Sequence, residues 1–185
     1  MTRKYFTIRP EASEDHAAIE ALHYEAFGHD DTVGKLVRDL RGVDAIFPTI
    51  SLLAESEFGQ PRGHVMLSHA WLDSDARLVD VMVLSPLAVH PQAQKQGLGT
   101  ALIGAAIKAA EALGAPMLFL EGNHNYYGQR GFEAATPLGI RRPSLRIPEK
   151  AFQIAKLSNY SESMTGTFVY KDVHWRHGVG LYRAS

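Results

Sequence analysis

No cysteine occurs among the 185 residues. That excludes disulfide frameworks, Cys-ligated zinc, iron–sulfur clusters and a protein thiol nucleophile. Charge of one sign is also lacking: 19 Lys and Arg stand against 20 Asp and Glu, a formal net charge of −1. Such a balance does not steer a chain towards a polyanion, so no nucleic-acid partner is expected. Long apolar runs are missing too. The longest, 78–89, is broken by Asp80, Ser85 and Pro86 and falls short of the ~20 residues that cross a bilayer. The opening ten residues hold no apolar h-region, so neither a secretory signal nor a membrane partner is expected, and a cytoplasmic location is.

The composition that remains, 45% hydrophobic and 21% charged, is that of an average globular protein of one domain. Alternating Phe6-Thr7-Ile8-Arg9 predicts a strand. Ser13 is the expected N-cap of a helix presenting Ala18, Ile19, Leu22 and Ala26 and stopping at Gly28. A second helix is expected over 32–41, with Val33, Leu36, Val37 and Leu40 on one face. Strand-like runs follow at 51–57, 63–72 and 77–89, separated by turn residues. Pro86 lacks a ladder donor, so the third run should bulge there and free backbone groups for a ligand. A helix is expected over 99–113, then a strand at 117–120, a helical turn at 125–130, and strands at 132–134, 151–157 and 166–170. Antiparallel hairpins followed by a strand–helix–strand crossover define an α+β fold with a mixed sheet.

The segment 84–100 is the most informative. A strand runs into a polar loop, and the loop enters a helix through Gly97-Leu98-Gly99. Helix N-termini present unpaired N–H groups and a positive dipole end, and glycines let an anion approach the backbone. Two known phosphate loops do not fit. The P-loop needs a lysine where Thr100 follows Gly99, and the dinucleotide fingerprint needs a third glycine where Leu102 stands.

Gln94-Lys95-Gln96-Gly97-Leu98-Gly99 resembles the Gln/Arg-x-x-Gly-x-Gly/Ala signature of the GNAT (Gcn5-related) N-acetyltransferases. Leu87-Ala88-Val89-His90-Pro91 is similar to the end of that family's fourth strand, and Tyr127-Gly128-Gln129-Arg130-Gly131-Phe132 to its Tyr-x-x-x-Gly-Phe segment. The Tyr126-Tyr127 pair and the long tail resemble a bacterial, YhbS-like branch. The likeness departs at Arg130, where an aromatic is usual, and at Leu120, where many members have asparagine. It implies a mostly antiparallel sheet splayed between its fourth and fifth strands. It also implies a domain spanning 1–185, with a core at 5–135 and a tail completing the sheet on the acceptor side.

The resemblance further implies acetyl-CoA as co-substrate. Backbone amides of Gln94, Lys95, Gln96, Gly97, Leu98, Gly99 and Thr100 would hold the pyrophosphate. Leu87, Ala88 and Val89 would pair with the pantetheine amides, and Asn123 or Asn125 would replace the missing asparagine. Tyr127 matches the family's acid for the departing thiolate, with Tyr126 packing beside it or lining the pocket. Glu121, at a strand end beside the gap, is either the base for the amine or a surface carboxylate; His124 is an alternative base. The acceptor is a primary amine of a small molecule or peptide. The rival functions are a non-catalytic acyl-CoA-binding module on the same fold and a dinucleotide oxidoreductase.

The remaining polar clusters have plain readings. His174 and His177 are expected on the surface, His29-Asp30-Asp31 as a cap for the second helix, and Arg141, Arg142 and Arg146 as a solvated basic loop. No metal is expected. Trp71 and Trp175 are expected to pack in the core. A homodimer through the tail strands is compatible with their edge character.

Overall fold

The computed structural model describes residues 6–179. Residues 1–5 and 180–185, which include the first position of the expected core and the end of the expected tail, lie outside the described residues.

Strand β1 (Phe6–Pro10) leads through a 3-10 turn to α1 (His16–Ala26) and α2 (Thr32–Leu40). Ser13 is not the cap. It lies inside the turn, and Asp15 does the capping work by accepting from the Ala12 amide at 2.8 Å while Arg9 grips the same carboxylate. A chelated carboxylate outcompetes a serine hydroxyl for this task. Gly28 stops α1 in the left-handed region, φ 71°, and Asp30 accepts from the Thr32 amide at the start of α2, as the cap reading expects.

A meander follows: β2 (Ile50–Ser56), β3 (Pro61–Asp73) and β4 (Leu78–Val89). Next come α3 (Leu98–Ala112), β5 (Met117–Glu121), α4 (His124–Gly128) and β6 (Glu133–Ala134). The chain closes with β7 (Ile140–Arg141), β8 (Phe152–Lys156), β9 (Gly166–Val169) and α5 (Asp172–Arg176). Among the described residues the strands form one sheet, in the order β1-β2-β3-β4-β5-β8-β6. β9 is added to the far end of β3, and β7 to β9. All neighbours are antiparallel except β4–β5 and β7–β9.

Strand alternation sorts the core into two layers. Val65, Leu67, Leu118 and Leu120 face α3 and pack on Leu102 and Ile103. Leu53 and Met66 face the other way, against Ile19, Leu36 and Val37 of α1 and α2. Phe119, Phe152 and Phe168 extend that second layer under the C-terminal segment.

A buried polar column ties α1 to the sheet on the same side. His23 Nε2 lies 2.8 Å from His64 Nδ1, His64 Nε2 lies 2.7 Å from Ser51 Oγ, and Ser51 donates to Glu11 at 2.6 Å. Burial pulls the His23 imidazole down to about 3, so it is neutral at physiological pH. A neutral ring has one N–H. His23 Nδ1 is buried without a hydrogen-bond partner, and a bare lone pair there costs less than a bare N–H. The protons therefore point from His23 to His64 to Ser51 to Glu11.

The tail departs from expectation at several residues. His174 is fully buried, stacked on Tyr170 with Nε2 3.2 Å from Ser68 Oγ. His177 is mostly buried and lies 2.7 Å from Asp39. The tail folds back over β3 and against α2, so helical spacing alone misplaces both. Arg142 is likewise largely covered and pairs with Glu149 at 2.9 Å, whereas Arg141 and Arg146 are exposed. Trp175 is partly exposed, and Trp71 is only half-buried with the Lys171 ammonium over its ring.

Candidate active site

β4 and β5 run side by side only briefly. Met82 pairs with Leu118 and Val83 with Phe119, and from Leu84 onward the strands diverge. The bulge expected at Pro86 lies just there: Val65 of β3 faces Leu87 and Leu67 faces Leu84, so Ser85 and Pro86 together oppose Met66. The His90 amide donates to Arg62 across the β3 side. By strand alternation the Ala88 backbone also turns to β3, while the Leu87 and Val89 backbone groups turn into the gap. The Val89 carbonyl is met by the Gln94 side-chain amide at 3.2 Å. Leu87 and Val89 are therefore placed to pair with an extended ligand, and Ala88 is not.

Lys95 and Gly97 bend the loop through the left-handed region, φ 60° and 83°. That turn aims the start of α3 at the gap. The first intrahelical bond runs from the Ala101 amide to the Gly97 carbonyl, leaving the Leu98, Gly99 and Thr100 amides without helical acceptors. The result is a cleft of about 480 Å³ bordered by Leu87 and Val89 of β4, by Gln94, Lys95 and Gly97 of the loop, and by Leu98, Gly99 and Thr100 of α3. Gln96 lies outside that lining; its side chain donates to the Gln92 carbonyl and braces the loop.

Two wall residues come from elsewhere in the chain. Tyr126 and Arg130 of the α4 region close the far side. The Arg130 guanidinium stacks 3.7 Å from the Tyr126 ring centroid and donates to Thr100 Oγ1 at 2.9 Å. A Cβ on Gly99 would lie 2.3 Å from the Tyr126 hydroxyl, so the glycine makes room for this wall. Arg130 adds a fixed cation to the row of amides, the donor set an anionic diphosphate requires. Its sequence signal was the departure from an aromatic at that position.

Asn123 does other work. Its Oδ1 accepts from the Asn125 and Tyr126 amides at 2.9 and 3.3 Å, capping α4, and it is not part of the cleft lining.

Tyr127 packs between Gly122 and Phe132, its ring edge-on to Phe132 and Tyr126. Burial, with Tyr126 beside it, pushes the phenol up to about 12, so it stays protonated. Tyr127 packs with the layer facing α3. Glu121 pairs with Phe152 of the opposite layer, and the Tyr170 hydroxyl donates to its Oε1 at 2.6 Å. The two candidates therefore stand on opposite faces of the sheet, and neither is among the residues that line the cleft. Among the described residues no group of three or more His, Cys, Asp or Glu side chains is assembled that could hold a metal ion. No described helix is long and apolar enough to cross a membrane.

The sheet is mixed and splayed at a parallel pair, and a left-handed loop delivers a helix N-terminus to the splay, an arrangement suited to an anionic ligand with an extended arm. A model of the acetyltransferase (GNAT) family matches residues 8–132. The uncharacterized N-acetyltransferase YjhQ of Escherichia coli is 32% identical over 136 residues, 72% of each chain. The structure of the E. coli GNAT N-acetyltransferase YhbS in complex with CoA superposes with a TM-score of 0.81 at 27% identity, over 94% of this chain and 93% of that one. A Brucella melitensis GNAT acetyltransferase in complex with acetyl-CoA gives 0.72 at 25% identity, over 91% and 97%. The chain belongs to the acetyltransferase (GNAT) family. Its likeness to YhbS agrees with the branch suggested by the tyrosine pair and the tail.

Proposed function

We propose that the chain transfers the acetyl group of acetyl-CoA to a primary amine of a small molecule or peptide by direct attack. One observation carries the reading: strand groups freed at the β4–β5 splay lead into a cradle of helix amides and Arg130. The cradle suits the diphosphate, and the freed groups of Leu87 and Val89 suit the amide-bearing arm between diphosphate and thioester.

The amine nitrogen attacks the thioester carbon, and the electron pair of the carbonyl moves to oxygen. The Val89 amide, which turns into the gap, is assigned as a donor for that oxygen. Collapse of the intermediate breaks the carbon–sulfur bond and sends its electron pair to sulfur. The nitrogen's surplus proton passes to Glu121, directly or through water.

The Tyr127 phenol bonds to the departing sulfur. A thiol of reference pKa near 8.5 beside a phenol at about 12 makes complete proton transfer uphill by about 5 kcal/mol. Tyr127 therefore serves mainly as a hydrogen-bond donor to the developing thiolate, and CoA takes its final proton from solvent.

The test is acetyl-CoA-dependent thiol release with an aliphatic diamine, an amino sugar and a short peptide bearing a free N-terminus. Amine-dependent release supports the reading. Saturable acetyl-CoA binding with no release from any amine contradicts it and favours the non-catalytic acyl-CoA-binding module.

A further inference from the structure

The carboxylate assigned to the base is held by a part of the chain that lies beyond the family match at residue 132. Tyr170 follows β9 directly. Its ring is buried edge-on against Phe168, and its hydroxyl donates to Glu121 Oε1 at 2.6 Å across 49 residues of sequence. Behind it His174 stacks at 4.8 Å and is anchored to Ser68 of β3. Burial, then the neighbouring Glu121 charge, raises the Tyr170 phenol well above its ordinary value, so the hydroxyl is a donor at every working pH. Burial also pulls His174 down to about 4, so no positive charge stands behind the ring.

We propose that Tyr170 is a positioning residue for the transfer: its hydroxyl fixes the Glu121 carboxylate at the splay and favours its proton-accepting form. The proposal rests on Glu121 being the base. A phenol locked between two rings and a strand loses little freedom by making this bond, so the carboxylate is oriented before the amine arrives. A donor to a carboxylate stabilises its charged form. Titratable groups among the described residues approach Glu121 from two sides. Tyr170 and, behind it, His174 come from the tail, and Tyr127 lies across the sheet. β8 contributes neutral Phe152 and Gln153, and 84–89 of β4 carries no ionisable side chain.

Tyr170→Phe removes the donor and keeps the ring. The experiment records kcat/KM against pH for the wild type, Tyr170→Phe and Glu121→Gln, with acetyl-CoA and the most reactive amine of the panel above. The amine's own ionisation is common to all three, so any displacement between profiles belongs to the protein. The expected result is an acid limb moved to higher pH by about one unit in Tyr170→Phe, because the base loses a partner for its charged form. The acetyl-CoA dissociation constant stays unchanged, and turnover in Glu121→Gln is nearly lost. The position of the limb does not depend on the folded fraction, so partial destabilisation leaves it readable. An unmoved limb in Tyr170→Phe, with Glu121→Gln inactive, overturns the positioning role alone. Full turnover in Glu121→Gln overturns the base assignment and the proposal with it.

Discussion

Replacing Tyr127 with phenylalanine should lower turnover about 10- to 100-fold while leaving acetyl-CoA affinity unchanged. A hydrogen bond to a charged partner contributes roughly 1.5–3 kcal/mol, which corresponds to that range. A proton-transferring acid would contribute about 10²–10⁴-fold. The raised phenol, about 12, selects the smaller effect. Only the hydroxyl is removed, so the contacts with Gly122 and Phe132 survive. The measurement is thiol release alongside calorimetric titration of both proteins. A loss above 10³-fold would show that Tyr127 hands over its proton; undiminished turnover would remove it from the mechanism.

Gly166→Ala should cost on the order of 3 kcal/mol or more in stability. Gly166 opens β9 with φ 148°, and a Cβ there would lie 2.1 Å from the Asp73 carbonyl oxygen. That atom belongs to the β3 backbone and cannot swing aside, so β9 must leave its pairing of Thr167, Phe168 and Val169 with β3. At roughly 2–4 °C per kcal/mol for a chain of this size, melting should fall by about 10 °C. Gly104→Ala is the contrast: nothing lies within 4 Å of its added Cβ inside α3, so it should be neutral or stabilising. Because β9 leads directly into Tyr170, Gly166→Ala should also shift the acid limb of activity as Tyr170→Phe does. Equal melting points for the two alanine variants would contradict the packing described for β9.

The long elements were legible in the sequence because each carries its own periodicity and punctuation. β2, β3, β4 and α3 end within a few residues of expectation, and the bulge at Pro86 follows from one missing donor. The Gln94–Thr100 turn was legible for the same local reason, since Gly97 needs a left-handed backbone. What escaped depends on contacts between distant segments. β7 is two residues long and exists only because Gly166 and Thr167 run beside it. α5 is short and held by its packing. Arg130 reaches Thr100, and Tyr170 reaches Glu121, through contacts that no spacing rule encodes. The local role of Asn123 was not anticipated either: its Oδ1 caps α4.

The central claim is that the loop and helix turn from Gln94 to Thr100, beside the β4–β5 splay, bind acetyl-CoA. Calorimetric titration of the folded protein with acetyl-CoA, with NADH as the control, tests it most directly. The account predicts saturable binding of one acetyl-CoA per chain, weakened when Arg130 becomes alanine, and no response to NADH. A flat acetyl-CoA titration of a cooperatively folding protein would contradict it and return the Gly97-Leu98-Gly99 turn to a purely structural role.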